Sequence, residues 1–169
     1  MKVPRLIGKR IVLRKFRLSD VDDLLEFEKK KRNGKKMTLS DAKKWIKKSV
    51  DENGYYFAVE LDKKVIGYVE LCHLNWFEGV AGEMGYHIGP KFRGKGYATE
   101  AAGVVIDYCF NKLKFRKVYA DTDPDNKASQ KVLEKLGFKL EGIIRERRFV
   151  KGRWIDEWDY GLLKREWRK

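Results

Sequence analysis

A glycine-rich segment between a predicted strand and a predicted helix restricts the fold of this sequence more than any other feature. Residues 93–98 read RGKGYA; they follow a strand-like stretch at 83–88 and precede an apolar, helix-like run that ends near Lys112. Its two glycines allow positive φ angles and a close approach of the backbone to a ligand. Converging backbone N–H groups and a helix N-terminus both favour anions. The segment therefore predicts a phosphate-binding turn.

The spacing of the glycines separates the possible kinds of phosphate site. A Walker A loop fits residues 89–95, but position 96 is glycine, so no hydroxyl is available for Mg²⁺. A dinucleotide-binding G-x-G-x-x-G fails because Thr99 stands where the third glycine is required. The pattern Arg93-x-x-Gly96-x-Ala98 remains. Taken alone, these six residues are explained equally well by an ordinary strand-to-helix turn.

The rest of the chain alternates between strand and helix patterns, with no repeat, linker or low-complexity segment. The order is not a regular βαβ array, so we predict one mixed α/β (α+β) domain over residues 1–169. The predicted strands are 10–16, 55–61, 65–73, 83–88, 117–122, 138–150 and 154–163. Four helices are predicted. The first is capped by Ser19 or Asp20 and runs to Phe27, and the second is capped by Ser40 and ended by Asn53-Gly54. The third runs from Tyr97 or Ala98 to Lys112, and the fourth from 123–126 to Leu136, where Gly137 stops it.

Four ordered blocks of sequence resemble one superfamily. Residues 85–90 (GYHIGP) and 94–101 (GKGYATEA) look like the GNAT acyl-CoA N-acyltransferases, in particular the branch that acetylates N-termini of ribosomal proteins. The blocks 126–129 (NKAS) and 132–138 (VLEKLGF) are similar to the next segment of that branch, and Glu141-Gly142, Asp156 and 160–163 (YGLL) to its C-terminal hairpin. The resemblance implies a GNAT-type fold, a mixed central sheet of six or seven strands flanked by about four helices.

The resemblance also implies acetyl-CoA as cosubstrate, bound without a metal. The pantetheine arm is expected to pair with main-chain groups and to enter a slot where strands 83–88 and 117–122 splay apart. Asn126 stands at the family position whose amide binds pantetheine, and it also fits a helix cap after Asp123-Pro124. The expected cofactor-binding residues are His87, Ile88, Arg93, Gly94, Lys95, Gly96, Tyr97, Ala98 and Asn126.

The catalytic candidates follow from the needs of amide formation from a thioester, namely a neutral amine, a polarised carbonyl and a protonated leaving thiolate. Many GNAT members protonate the thiolate with a tyrosine, but Leu133 occupies that position, and the resemblance implies Ser129 instead. An exposed serine at a helix start is the equal alternative for Ser129. Glu83 is the candidate base, acting directly or through water, and its alternative is an exposed strand residue.

Strand alternation gives the segment at 83–88 two faces, with Glu83, Gly85 and His87 on one and Met84, Tyr86 and Ile88 on the other. We interpret His73 and His87 as structural, and no Ser–His–Asp arrangement or metal cluster is recognisable in the sequence. Cys72 and Cys109 are too far apart in sequence for a C-x-x-C site, and Cys109 follows an apolar run that predicts burial. We therefore predict no metal.

The formal net charge of +14 is spread along the chain. Such an excess attracts anionic ligands, which include CoA and the acidic surface of a ribosome. It also admits a basic RNA- or ribosome-binding module that keeps the fold without catalysis. Residues 1–10 are rich in Lys and Arg and do not resemble a signal peptide, while the apolar stretch 101–110 is too short to span a bilayer. We expect a soluble cytoplasmic protein.

The predicted acceptor is a primary amine, in first place the N-terminal amine of a (ribosomal) protein. An α-amine has a pKa near 7.7–8.0, against about 10.4 for a lysine-type amine, so more of it is neutral at pH 7 and a weak base or water suffices. The field of +14 opposes a polycationic amine, unless acidic residues such as Glu70, Glu78 and Glu83 gather at the slot. A polyamine or another small amine is the alternative acceptor.

Overall fold

One mixed sheet runs through the molecule and carries helices on both faces. The computed structural model describes residues 3–28, 35–51, 54–72, 80–150 and 152–167. In chain order the strands β1 to β8 are Leu6–Ile7, Val12–Lys15, Tyr55–Leu61, Lys64–Cys72, Val80–Ile88, Lys117–Thr122, Lys139–Val150 and Arg153–Leu163. They lie in the order β1-β2-β3-β4-β5-β6-β8-β7. Every neighbouring pair is antiparallel except β5 with β6, which is parallel.

Among the described residues, four α-helices, α1 to α4, span Val21–Phe27, Leu39–Asp51, Tyr97–Asn111 and Lys127–Lys135.

The start of α2 corrects a prediction, because Thr38 rather than Ser40 caps it. Thr38 Oγ1 accepts the Asp41 N–H at 3.2 Å while Asp41 Oδ2 accepts the Thr38 N–H at 3.0 Å. This reciprocal pair satisfies two donors that Ser40, inside the first turn, cannot reach. As predicted, α4 ends before Gly137, whose φ is +86°.

Two hydrophobic cores lie against the two faces of the sheet. The larger core joins α3 and α4 to the sheet and contains Val105, Leu133, Val118 and Met84, each almost fully buried. The smaller joins α1 and α2 to residues such as Ala58 on the opposite face. Cys109 lies in the larger core, where burial raises the pKa of its thiol to about 12, so it is inert as predicted.

The sheet has eight strands, one more than the largest number predicted. The added strand is β1, whose two residues pair with β2 through Leu6↔Leu13 and Ile7↔Val12. Two residues are too few to show the alternation on which strand prediction depends. The strand predicted from Glu83 begins earlier, at Val80. His73, which the sequence led us to interpret as structural, lies outside the described residues.

The parallel pair β5 and β6 separates along its length, as the resemblance implied. The two strands pair only at Val80↔Lys117 and Glu83↔Tyr119. Beyond these residues β5 continues beside β4 as far as Ile88, and β6 continues beside β8 as far as Thr122. The opening lies at the carboxyl ends of the two parallel strands, the edge at which α/β sheets bind ligands.

None of the helices in the described part of the chain has the length and apolar character that crossing a bilayer requires.

Candidate active site

A cleft of about 420 Å³ lies at this opening, between the N-termini of α3 and α4. The end of β5, the glycine turn, the first turn of α3 and one side of α4 form its walls. Helix N-termini present unpaired N–H groups and a positive dipole end. The cleft is therefore suited to an anionic ligand.

The glycine turn has the backbone that its sequence predicts. Gly94 and Gly96 have φ angles of +75° and +81°, in the left-handed region that other residues adopt at a cost. A Cβ at Gly94 would meet nothing within 4 Å, so backbone conformation rather than space requires glycine there. α3 begins directly after Gly96, whose carbonyl accepts the Glu100 N–H at 3.0 Å. Gly96 is therefore both the second glycine of the turn and the N-cap of α3.

The structure brings the predicted cofactor-binding residues together in this cleft, with one exception. Lys95 does not line it; its carbonyl points away and accepts a hydrogen bond from Arg10 Nη1 at 3.0 Å. Arg93 lies across the cleft wall and donates from Nε to the Ile88 carbonyl at 2.8 Å. The predicted residues that line the cleft are His87, Ile88, Arg93, Gly94, Gly96, Tyr97, Ala98 and Asn126. Their contacts with the cosubstrate stay predictions.

Asn126 lines the cleft and also caps α4. Its position is therefore compatible with both predicted roles, a contact with pantetheine and a helix cap. Its Oδ1 accepts the Ser129 N–H at 3.1 Å. This bond uses the oxygen of the amide and turns the chain into the helix at the opening of the sheet. The amide nitrogen is left as a donor at the cleft, with no partner among the described residues.

Tyr86 is a residue of the cleft that the sequence prediction of the site missed. Its hydroxyl is 2.9 Å from Ser129 Oγ and 3.2 Å from the Ser129 carbonyl oxygen. Burial raises the pKa of Tyr86 to about 12, so the phenol is protonated at neutral pH. Leu133 is fully buried in the core and supplies no donor. Strand alternation had already put Tyr86 on the face of β5 opposite Glu83. That alternation is the sequence signal that could have indicated Tyr86 as a cleft residue.

His87 reaches the cleft through its backbone segment, while its ring lies on the other face of the sheet. The imidazole stacks between Phe27 and Tyr68, with centroid distances of 5.7 Å to each. Burial, and then the charge of Arg93, lower the pKa of His87. The ring is therefore neutral at pH 7, which agrees with a structural role.

Glu83 lies in a second cavity of about 420 Å³ on the opposite face. Val118 and Ala120 of β6 are in the core below α3, so the alternating Tyr119 and Asp121 point to this face. Five carboxylates line the second cavity, which we call the acidic cavity: Glu83, Asp121, Glu141, Glu157 and Asp159. Four of the five were not predicted as site residues, because they come from three different strands and no local motif links them.

The carboxylates of the acidic cavity are held at an electrostatic cost. Burial, and then the charge of Asp121, raise the pKa of both Glu157 and Asp159. Basic side chains offset part of this cost: Arg147 lies 3.5 Å from Glu157, and Lys117 lies 2.5 Å from Glu141. A ligand with positive charge would relieve the remaining repulsion. Among the described residues, no group of three His, Cys, Asp or Glu is arranged to hold a metal ion.

Comparison with known proteins identifies the family. The pattern of the acetyltransferase (GNAT) domain matches residues 10–139. The chain belongs to the GNAT acetyltransferases. It is 34% identical to the uncharacterized N-acetyltransferase p20 of Bacillus licheniformis, over 96% of this chain and 97% of that protein. The solved structure of a GNAT-family acetyltransferase from Bacillus anthracis superposes with a TM-score of 0.86 at 26% identity, over 96% of this chain and 100% of that one.

Two further relatives differ in the acceptor that their names give. A Bacillus subtilis protein, YdaF, is named as a ribosomal N-acetyltransferase and is 35% identical over 73% of this chain and 67% of its own length. The spermidine N(1)-acetyltransferase of Escherichia coli is 36% identical over 62% of this chain and 55% of its own length. The predicted fold and the predicted class of enzyme, an acyltransferase that uses acetyl-CoA, are confirmed.

Proposed function

We propose that this enzyme transfers the acetyl group of acetyl-CoA to a primary amine that enters through the acidic cavity. One observation carries the proposal: the cleft and the acidic cavity lie on opposite faces of the sheet, beside the place where β5 and β6 stop pairing. A thioester held in the cleft and an amine held in the acidic cavity would meet at that gap.

The proposed location of the enzyme is the cytoplasm, where acetyl-CoA is available.

The transfer would use groups on both faces. The neutral amine nitrogen attacks the thioester carbonyl carbon, and the C–N bond forms as the carbonyl oxygen becomes an oxyanion. Collapse of this intermediate breaks the C–S bond, and the thiolate takes a proton from the Ser129 hydroxyl, which recovers a proton from water, directly or through the hydrogen-bonded Tyr86 hydroxyl. The proton lost by the nitrogen passes to Glu83 or to water. Backbone N–H groups of β5 beyond Glu83, where β6 no longer pairs, are the candidate donors to the oxyanion.

The first candidate acceptor is the N-terminal amine of a protein, such as a ribosomal protein. The sequence blocks at 85–101 and 126–138 and the relative YdaF support it. The low pKa of an α-amine fits a site whose base is a carboxylate or water. The net charge of +14 would assist encounter near ribosomal RNA, so ribosome association is part of this proposal.

A polyamine is the second candidate, and the acidic cavity favours it. Five carboxylates face two cations, Lys117 and Arg147, in the lining of that cavity. This local excess of negative charge is the condition under which a polycation could approach a basic protein. The spermidine acetyltransferase relative points the same way.

An acetyl-CoA consumption assay across acceptors tests the proposal. Peptides that begin with Ala or Ser, the same peptides blocked at the N-terminus, and spermidine would be compared by kcat/KM at several salt concentrations. Faster turnover of the free peptide than of spermidine at physiological salt supports the first candidate, and the reverse supports the second. If no amine stimulates acetyl-CoA consumption, the proposal is wrong and the non-catalytic binding module is favoured.

A further inference from the structure

Arg10, in the turn between β1 and β2, reaches across the molecule to the glycine turn. Its backbone N–H donates to Glu100 Oε1 at 2.6 Å, and its Nε donates to Glu100 Oε2 at 2.8 Å. Its Nη1 donates to the Lys95 carbonyl at 3.0 Å. The guanidinium also lies 4.5 Å from the centroid of the Tyr97 ring. One side chain thus contacts the turn and the first turn of α3 together.

The hydrogen bond from Arg10 to the Lys95 carbonyl affects the direction of the Gly96 N–H, which belongs to the same peptide unit. In a trans peptide the C=O and the following N–H point in opposite directions. Arg10 holds the Lys95 carbonyl away from the cleft, so the Gly96 N–H of the same peptide unit is directed the other way, toward the cleft. A phosphate at a glycine turn is bound by such N–H groups. Arg10 therefore sets the direction of a donor that it does not itself supply.

Glu100 keeps Arg10 in this position. The carboxylate receives two of its hydrogen bonds, and these bonds lower the pKa of Glu100 against the opposing effect of burial. The space is closely filled, since a Cβ at Gly8 would lie 2.9 Å from Glu100 Oε1. The Arg10 Nη2 would lie 3.5 Å from a Cβ at Gly96, so the positive charge is directly behind the turn.

We infer that Arg10 is a positioning residue for the diphosphate of CoA: it orients the 95–96 peptide for binding and adds positive charge behind the turn. The inference rests on the proposed function, because it requires that the cleft binds acetyl-CoA. It assigns a role to a residue that lies more than eighty positions before the turn and outside the cleft lining.

The test compares Arg10→Gln and Arg10→Lys with Lys9→Gln, which removes the same charge from an exposed neighbour. CoA binding is measured by calorimetry, and turnover is measured with acetyl-CoA and with S-acetylpantetheine, which lacks the phosphates. We expect Arg10→Gln to weaken CoA binding roughly tenfold to thirtyfold, and Arg10→Lys less, because Lys keeps the charge but not the paired donors. Lys9→Gln should match the wild type. Turnover of S-acetylpantetheine should be the same in all four proteins.

Three results would overturn the inference. CoA affinity in Arg10→Gln equal to that in Lys9→Gln would leave the proposed function intact and remove only the role of Arg10. An equal loss of turnover with both donors in Arg10→Gln and Arg10→Lys would show a general effect on the fold, not on the diphosphate. Failure of the wild type to bind CoA would contradict the proposed function itself.

Discussion

The cleft and the acidic cavity have similar volumes and lie beside the same opening of the sheet, but the chain builds them in different ways. The cleft is made from two short stretches, 86–99, which is a strand end and a turn followed by a helix start, and 126–135, which is the cap and length of α4. The acidic cavity takes its side chains from four strands, β5, β6, β7 and β8. A local motif can encode the first kind of site. Only the strand order and register of the whole sheet define the second.

The two sites also differ in electrostatics. Helix N-termini, the glycine turn and Arg93 make the cleft favourable for an anion without placing a carboxylate in its lining. The acidic cavity concentrates carboxylates, and in two of them, Glu157 and Asp159, burial and then the charge of Asp121 raise the pKa. A sheet with opposite charge preferences on its two faces can hold an anionic donor and a cationic acceptor apart until they meet at the gap between β5 and β6. The predictions below test each face separately.

The largest effect is expected in the cleft, at Ser129. Ser129→Ala should lower kcat roughly 100-fold or more, with little change in the KM for acetyl-CoA, because the hydroxyl acts when the thiolate leaves. Tyr86→Phe removes only the hydroxyl bonded to Ser129 and should lower kcat about tenfold. Pre-steady-state measurement of the acetyl-transfer step checks both values.

The Ser129 prediction has an internal control. Because Tyr86 acts through Ser129, Tyr86→Phe should have no further effect on kcat in a Ser129→Ala background. Ser49→Ala removes a buried hydroxyl from α2 that donates to the Ile46 carbonyl at 2.8 Å, and it should leave kcat unchanged. A Ser129→Ala enzyme with wild-type kcat for the chemical step would reduce Ser129 to a residue of the helix start.

The second effect concerns the cleft alone. In Gly96→Asp the new carboxylate would repel the diphosphate, by roughly 3 kcal/mol per unit charge at about 6 Å and an effective dielectric constant near 20. It would also draw Arg10 away from the Lys95 carbonyl, since its Cβ would lie 3.5 Å from Arg10 Nη2. We expect CoA binding to weaken about 100-fold. Calorimetry in EDTA gives this value.

Gly152→Asp is the matched control for Gly96→Asp. Gly152 has a φ of +83°, close to that of Gly96, and a Cβ there would meet nothing within 4 Å. The same backbone strain and charge are thus introduced in a hairpin turn that does not line the cleft. Equal CoA affinity in the two variants would contradict an anion site at the glycine turn. Loss of wild-type binding in EDTA would contradict the prediction that no metal is needed.

The difference between the two sites explains how far the sequence could predict them. Residues 93–98 and Asn126 could be predicted because each belongs to a short block of sequence that resembles the GNAT family. Asp159 comes to lie opposite Asp121 only through the pairing of β6 with β8. That register depends on burial across the whole sheet, which no local pattern contains. Arg10 escaped notice for the same reason, since its partners are 85 and 90 positions away.

The smallest effects are expected in the acidic cavity. Asp159→Asn should raise the KM for a cationic acceptor roughly tenfold, because one of five carboxylates is lost from the lining, and should leave CoA affinity unchanged. Asp62→Asn, in the exposed turn between β3 and β4, removes the same charge far from either site and should change neither quantity. If Asp159→Asn left the KM for both peptide and spermidine at the wild-type value, the acceptor would not enter through this cavity.

Stability provides a second measurement on Asp159, with a sign fixed by its raised pKa. Burial and Asp121 make the folded protein hold the Asp159 proton more tightly than the unfolded chain does. The contribution of this carboxyl to stability therefore falls as pH rises from its unfolded pKa, near 3.9, through its folded pKa, and stays low at pH 7. Asp159→Asn removes that cost, so its Tm at pH 7 should exceed that of the wild type by roughly 1–2 °C. The difference should vanish below about pH 3, well under the unfolded pKa, where the aspartate is protonated in both states. A lower Tm at pH 7 would mean that Arg147 and Lys117 compensate Asp159 fully, and the acidic cavity would then have no unrelieved repulsion for a cationic acceptor to remove.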